Sequence, residues 1–233
     1  MGAALGWGAL AASSLIVGAV LGLAGSWPDR AIGVVLAFGA GALISAVSFD
    51  LAQEGAEVGS PGTLALGLAL GAMTYFLLDR AVERRAGATS DPGAALALGA
   101  FLDGIPEQLV LGIGLASGDG VSVGLLAAIF VSNLPEAIGS ATDMRAARRR
   151  APQIALLWVA VAIICTLATV GGYAIADIAS GDLKATIDGF AAGALLVMLI
   201  DSMIPEAVEK GGRIAGLVTV LGFAVAAGLS GIS

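Results

Sequence analysis

Asp103 and Glu107 stand four residues apart inside an apolar run, so a helix there sets both carboxylates on one face. Glu136 lies in a second apolar run, with Ser132 four residues before it and Asn133 three before it. Each glutamate directly follows a proline, in Pro106-Glu107 and Pro135-Glu136. A proline inside a helix frees the carbonyl four residues earlier, here those of Leu102 and Val131. Carboxylates, a hydroxyl, an amide and freed carbonyls are oxygen donors that suit a cation, water or a proton. An ionisable residue at mid-bilayer costs roughly 2.5–3.5 kcal/mol on insertion scales, and no Lys or Arg falls within the central spans to offset it. A bound cation or proton would account for these acids. So would protonated acids bonded to their neighbours beside proline kinks that serve packing.

Further polar residues flank this group. Asp50, Gln53, Glu54 and Glu57 gather towards the end of one apolar run, where they either line an entrance or are solvated. Asp201 and Ser202 lie deeper in another run, and Glu206 and Glu209 close it. Asp50, Gln53, Glu54, Asp201, Ser202 and Glu206 are the candidate pathway residues. Asp79 beside Arg80 reads as interfacial, and Asp143 near the Arg145–Arg150 cluster as solvated. Trp7, Trp27 and Trp158 suit interfacial anchors or packing, and Cys165 a small buried apolar residue.

The elements that must hold these groups are helices in lipid. Of 233 residues 58% are hydrophobic and 12% charged, and the mean hydropathy is +0.97. A soluble domain carries about a quarter charged residues, so this chain could not cover itself in water. Eleven basic against 18 acidic residues give a net charge of −7 and no basic patch for nucleic acid. One cysteine excludes an internal disulfide framework and a cysteine zinc cluster. The absence of histidine removes the commonest transition-metal ligand and general base. The first segment lacks a basic leader region and reads as a retained helix rather than a cleaved signal peptide.

Apolar stretches long enough to cross about 30 Å of hydrocarbon fall at 3–25, 31–53, 61–79, 93–116, 121–142, 152–177, 185–206 and 212–230. The expected fold is therefore all-α: a polytopic membrane protein of eight transmembrane helices in one domain over 1–233. Ten basic residues lie on one side of these spans and Lys184 on the other. The positive-inside rule makes the side with ten cytoplasmic and puts both termini outside. The stretch Phe38–Leu43 resembles Phe190–Leu195, and in the same register Glu54, Glu57 and Gly59 fall on Glu206, Glu209 and Gly211. Ile105-Pro106-Glu107 echoes Leu134-Pro135-Glu136. The paired segments run in opposite directions, which predicts an inverted repeat of helices one to three and six to eight around central helices four and five. Such repeats around a midplane site mark transporters. Ala- and Gly-rich helices can also look alike by composition alone.

Leu102-Asp103-Gly104-Ile105-Pro106-Glu107, Ser132-Asn133-Leu134-Pro135-Glu136 and Met203-Ile204-Pro205-Glu206-Ala207 with Gly211-Gly212 resemble the motifs of the ZIP (Zrt/Irt-like) metal transporters. The resemblance covers essentially the whole chain. It implies eight helices, both termini outside, and a metal site on helices four and five, often binuclear. By that resemblance Asp103 stands where histidine is usual, Glu107 and Glu136 hold usual ligand positions, and Ser132 replaces His or Gln. Asn133 replaces an acidic residue and Gly104 a frequent Asn. Where the family often places a helix-six glutamate, the nearest polar residues are Thr166 and Thr169. These changes imply one site on Asp103, Glu107 and Glu136, with Ser132 and Asn133 beside it and the second site weakened or absent. The family's histidine-rich loop is missing from Ala81–Pro92. The resemblance implies zinc or a broad divalent range; an all-oxygen set favours harder ions such as Mn²⁺, Mg²⁺ or Fe²⁺. Nine arginines beside two lysines fit a GC-rich or salt-adapted prokaryote.

The expected function is divalent-metal transport by alternating access, into the cytoplasm by family resemblance. The protein would be a plasma-membrane transporter and not an enzyme. Its partners would be the metal ion as cargo, with no resident cofactor, and the lipid bilayer, and small-residue faces would permit a homodimer. Two other classes stay open: a non-transporting metal-binding membrane protein or sensor, and an intramembrane aspartyl protease using Asp103 and Asp201. The Tyr-Asp and Gly-x-Gly-Asp stretches of such proteases are absent.

Overall fold

A computed structural model describes residues 1–25, 27–88, 92–116 and 122–230, with side chains described there except at 85–88, 92–100 and 230. The regular elements among the described residues are all helical. In chain order they are α1 (Gly2–Ala24), α2 (Asp29–Ala46), a first π turn (Val47–Gln53), α3 (Glu54–Val58), α4 (Pro61–Ala88) and α5 (Pro92–Ala116). They continue as α6 (Val123–Ala146), α7 (Ala151–Ala176), α8 (Asp182–Met198), a second π turn (Leu199–Met203), α9 (Ile204–Gly211), a 3₁₀ turn (Gly212–Ile214) and α10 (Ala215–Ser230).

Six stretches among the described residues are long and apolar enough to cross a membrane: Gly2–Ala24, Asp29–Val58, Pro61–Arg84, Val123–Ala146, Ala151–Ala176 and Asp182–Leu229. The chain is thus an all-helical, multi-pass membrane protein. The last stretch has 48 residues, whereas one crossing needs about 20. Gly212, at φ 67, turns the chain between α9 and α10.

Several helices outrun the apolar windows that reveal them. The helix expected over 61–79 continues to Ala88, because Arg80, Glu83, Arg84 and Arg85 end the apolar window while they, with Ala81, form helix well. There the Arg80 guanidinium lies 4.3 Å from the Phe76 ring centroid. The run expected to end at residue 53 passes through the first π turn and closes at Val58. The run expected over 185–206 begins at Asp182 and ends at Gly211. Hydropathy marks where lipid ends, not where helical hydrogen bonding ends.

Four helix pairs build the molecule: α1 on α6, α5 on α7, α2 on α10 and α4 on α8. Small residues allow this in lipid, where association rests on close packing rather than water exclusion. A methyl group at Gly41 of α2 would collide with the Thr219 carbonyl of α10, and one at Gly193 of α8 with the Leu68 carbonyl of α4. One core, with Leu15, Met144, Trp158 and Cys165 fully buried, joins α1, α6 and α7. Arg145 donates to the carbonyls of Leu23 at 2.8 Å and Gly25 at 3.1 Å, tying the C-terminal ends of α6 and α1 together. Between the α4–α8 pair and the α5–α7 pair runs an apolar cavity of about 460 Å³, walled by Tyr75, Leu102, Pro106, Leu109, Ile187 and Phe190 among others.

Candidate cation site

α5 and α6 meet around their internal prolines, Pro106 and Pro135. Asp103 is buried, and three elements converge on it. Its Oδ1 accepts a hydrogen bond from the Tyr75 hydroxyl of α4, and its Oδ2 one from Ser202 Oγ of the second π turn at 3.0 Å. One turn further along α5, Glu107 is buried too. Its Oε1 lies 2.9 Å from Ser132 Oγ of α6, and its Oε2 has no partner. Ser132 Oγ is also 3.0 Å from the Ile129 carbonyl. One hydroxyl proton thus faces two acceptors.

The α6 side of the contact holds more unpaired polar atoms. Asn133 is fully buried beside Glu107, and its Oδ1 has no partner. Glu136 is half-buried, with Oε2 enclosed and unpartnered. Gly104 faces this group: a Cβ there would lie 2.9 Å from Cys165 Sγ of α7 and 4.0 Å from Asn133 Oδ1. The three carboxylates are within electrostatic range of one another. Each polar atom left unpaired in the interior costs about 1–3 kcal/mol, and oxygens of Glu107, Asn133 and Glu136 are in that condition together. Among the described residues, no three His, Cys, Asp or Glu side chains already form a group able to hold a metal ion. Asp103 is engaged by hydroxyls and Glu107 by Ser132, so the donors are near one another without enclosing a common point.

The flanking residues divide in two directions. Asp50, in the first π turn, accepts from Ser122 Oγ at 3.3 Å, and Ser122 also caps α6 by accepting from the Leu125 amide. Gln53 is exposed and donates to Glu57 at 3.0 Å. Glu54 accepts from Lys184 Nζ at 2.7 Å. At the other end, Glu206 accepts from Lys210 Nζ at 2.6 Å and lies within electrostatic range of Asp103 and Glu136. The second π turn sends Ser202 inward and Asp201 outward. Asp201 is exposed beside Ala72, Met73 and Phe76 of α4. Both Asp103 oxygens are bonded elsewhere and Asp201 faces away, so the pair a protease would need is not assembled.

Three buried polar residues carry no signal in the spacing above. Tyr75 is 2% exposed and clamps Asp103; a tyrosine amid apolar residues is itself a hydroxyl needing a partner. Gln108 is fully buried, accepts from Thr169 Oγ1 of α7 at 2.6 Å, and leaves its Nε2 unpaired. Asp188, early in α8, is fully buried and 3.1 Å from Lys184. Thr166, the other polar residue of that stretch of α7, bonds the Ala162 carbonyl of its own helix.

No family model matches the chain. In an alignment of 192 residues that covers 76% of the chain, it is 31% identical to a protein of Arabidopsis thaliana named "Putative zinc transporter". The chain spans 30% of that protein's length.

Proposed function

We propose that the chain carries a divalent metal cation across the bilayer, with Asp103, Glu107, Ser132, Asn133 and Glu136 as its mid-depth oxygen site. The observation that carries this reading is the set of buried, unpartnered oxygens on Glu107, Asn133 and Glu136, where α5 meets α6. Lys184 and Lys210 make their ion pairs elsewhere. A cation arriving among those oxygens supplies the missing charge, and Ser132 then keeps its proton on the Ile129 carbonyl. The name of the Arabidopsis relative supports metal as the cargo class. By that likeness the ion is zinc; by donor chemistry a harder ion such as Mn²⁺ or Fe²⁺ competes well.

The proposal extends to eight crossings in one domain, built as an inverted repeat. The first π turn starts at Val47 and the second at Leu199, the same offset of 152 that relates Phe38 to Phe190 and Glu54 to Glu206. Exchanging α1 with α7, α2 with α8, α4 with α10 and α5 with α6 turns the α2–α10 pair into α8–α4 and α1–α6 into α7–α5, so the four packed pairs map onto each other. Composition alone has no reason to repeat a π turn. In this reading the ion stays between α5 and α6 while α2 and α8, each hinged at its π turn, take part in opening one side and then the other. In this reading both termini lie outside the cytoplasm of a plasma-membrane protein, as the basic residues gathered on one side support, and flux is inward by the resemblance to the ZIP transporters. Small-residue faces let two copies pack as a homodimer.

Uptake of Mn²⁺ and Zn²⁺ into proteoliposomes tests this. Glu107→Gln and Glu136→Gln keep the side-chain shape and remove the charge. Both should reduce uptake at least about tenfold, the effect of roughly 1.4 kcal/mol of lost ion binding. Uptake equal to the parent's in both variants would place the path elsewhere. Saturable binding without any flux in the parent would instead make the chain a non-transporting metal binder.

A further inference from the structure

The chain has two lysines, Lys184 and Lys210, and each is bonded to one member of the glutamate pair related by the 152-residue offset, Glu54 and Glu206. The lysines are not themselves related by that offset. Lys184 reaches Glu54 across the contact of α3 with α8, whereas Lys210 reaches Glu206 along α9. The duplicated feature is therefore a glutamate just beyond a π turn with an ammonium against it, reached by two routes.

The Lys184 group is the more enclosed. Its Nζ is 2.7 Å from Glu54 Oε1 and 3.1 Å from Asp188 Oδ2, with the lysine side chain 12% exposed and Asp188 wholly buried. Asp188 Oδ1 has no partner. Two carboxylates thus face one ammonium, and one enclosed oxygen remains unused. Asp182, two residues before Lys184, is committed to the Ser60 amide at 2.8 Å and the Thr63 hydroxyl at 3.1 Å, which anchors the start of α8 against α4. Asp50 lies within electrostatic range of Glu54 on the side towards the rest of the molecule. An ammonium on a flexible four-carbon stem can leave such a group without the helices moving. The charge it leaves behind, −2 on two ionised carboxylates, matches a divalent cation.

Resting on the transport reading, we infer that Glu54 and Asp188 form a second divalent-cation site at one mouth of the pathway, which Lys184 occupies as a tethered counter-cation until an arriving ion displaces it. Lys184 is then a gate. It keeps the mouth neutralised and dehydrated when no ion is present, and its swing to solvent accompanies ion capture. A merely structural salt bridge would be unmoved by metal, because nothing would compete with the lysine.

Lysine acylation of the intact, detergent-purified chain, mapped by mass spectrometry with and without Mn²⁺, tests this directly. Mn²⁺ should raise the acylation of Lys184 by about tenfold, as an ammonium released from two carboxylates reacts like an ordinary exposed lysine. The Glu107→Gln/Glu136→Gln double variant should show the same rise, since the mouth binds without the central site. In Asp188→Asn, which keeps the side-chain shape, Mn²⁺ should leave Lys184 reactivity unchanged. Lys184→Met should bind Mn²⁺ at this site about tenfold more tightly than the parent, with the same number of ions at saturation, by electron paramagnetic resonance titration. Unchanged or reduced Lys184 reactivity in the parent with Mn²⁺ bound overturns the inference even where flux is present. A rise without flux upholds the site and removes the transport reading.

Discussion

Ser202 Oγ stands 3.0 Å from Asp103 Oδ2, so the second π turn is linked to the carboxylate one helical turn before Glu107. The Tyr75 hydroxyl holds the other oxygen of the same carboxylate. Asp103 is thereby clamped from α4 and from the distorted segment that follows α8, the helix α4 packs against. These hydroxyls fix the direction in which Asp103 presents its remaining lone pairs to a cation bound at Glu107 and Glu136.

Tyr75→Phe removes one of them without changing the packed volume. A hydrogen bond to a charged group contributes about 1.5–3 kcal/mol, so the variant should unfold at lower temperature in detergent. With Asp103 freer to turn towards the ion, the uptake KM for Mn²⁺ should fall by about threefold or more. An unchanged KM would mean that Asp103 does not join the bound ion.

Asn133→His introduces an imidazole where a buried amide oxygen has no partner. Nitrogen donors favour zinc over harder ions. Competition uptake should shift towards Zn²⁺ by about tenfold relative to Mn²⁺, the size of 1.4 kcal/mol of differential binding. The ratio measured for the parent and variant checks this, and an unmoved ratio would place Asn133 outside the coordination sphere.

Close helix approach gives a third test. Gly193→Leu drives a side chain into the Leu68 carbonyl of α4, whereas Gly216→Ala meets nothing within 4 Å. Overpacking of this kind costs about 1–3 kcal/mol or more. Gly193→Leu should therefore aggregate or melt early in size-exclusion and thermal assays. Gly216→Ala should match or slightly exceed the parent, as alanine is the better helix former by about 1 kcal/mol.

The Pro-Glu pairs of α5 and α6 were legible in the sequence because a carboxylate in an apolar run has no solvated alternative to explain it. Tyr75 was not, because its partner is 28 residues away and a tyrosine in a membrane span also suits packing or an interface. Asp188 gives no such signal: it lies near the end of its span, and the lysine that accounts for its burial lies one turn before it. The π turns left no trace in the apolar pattern, since α2 and α8 bury residues on most of their circumference and one extra residue per turn does not disturb that. Asp201 and Ser202 show the consequence: adjacent in sequence, they face opposite ways, and only Ser202 reaches the site.

Anomalous scattering from a crystal of the protein soaked in Mn²⁺ tests the central claim most directly, since it locates the ion and counts its donors. The account predicts a peak between α5 and α6, within about 2.0–2.6 Å of carboxylate oxygens of both Glu107 and Glu136, and lost in Glu107→Gln/Glu136→Gln. A fully occupied peak elsewhere, with the Glu107 and Glu136 oxygens still unpartnered, would contradict it.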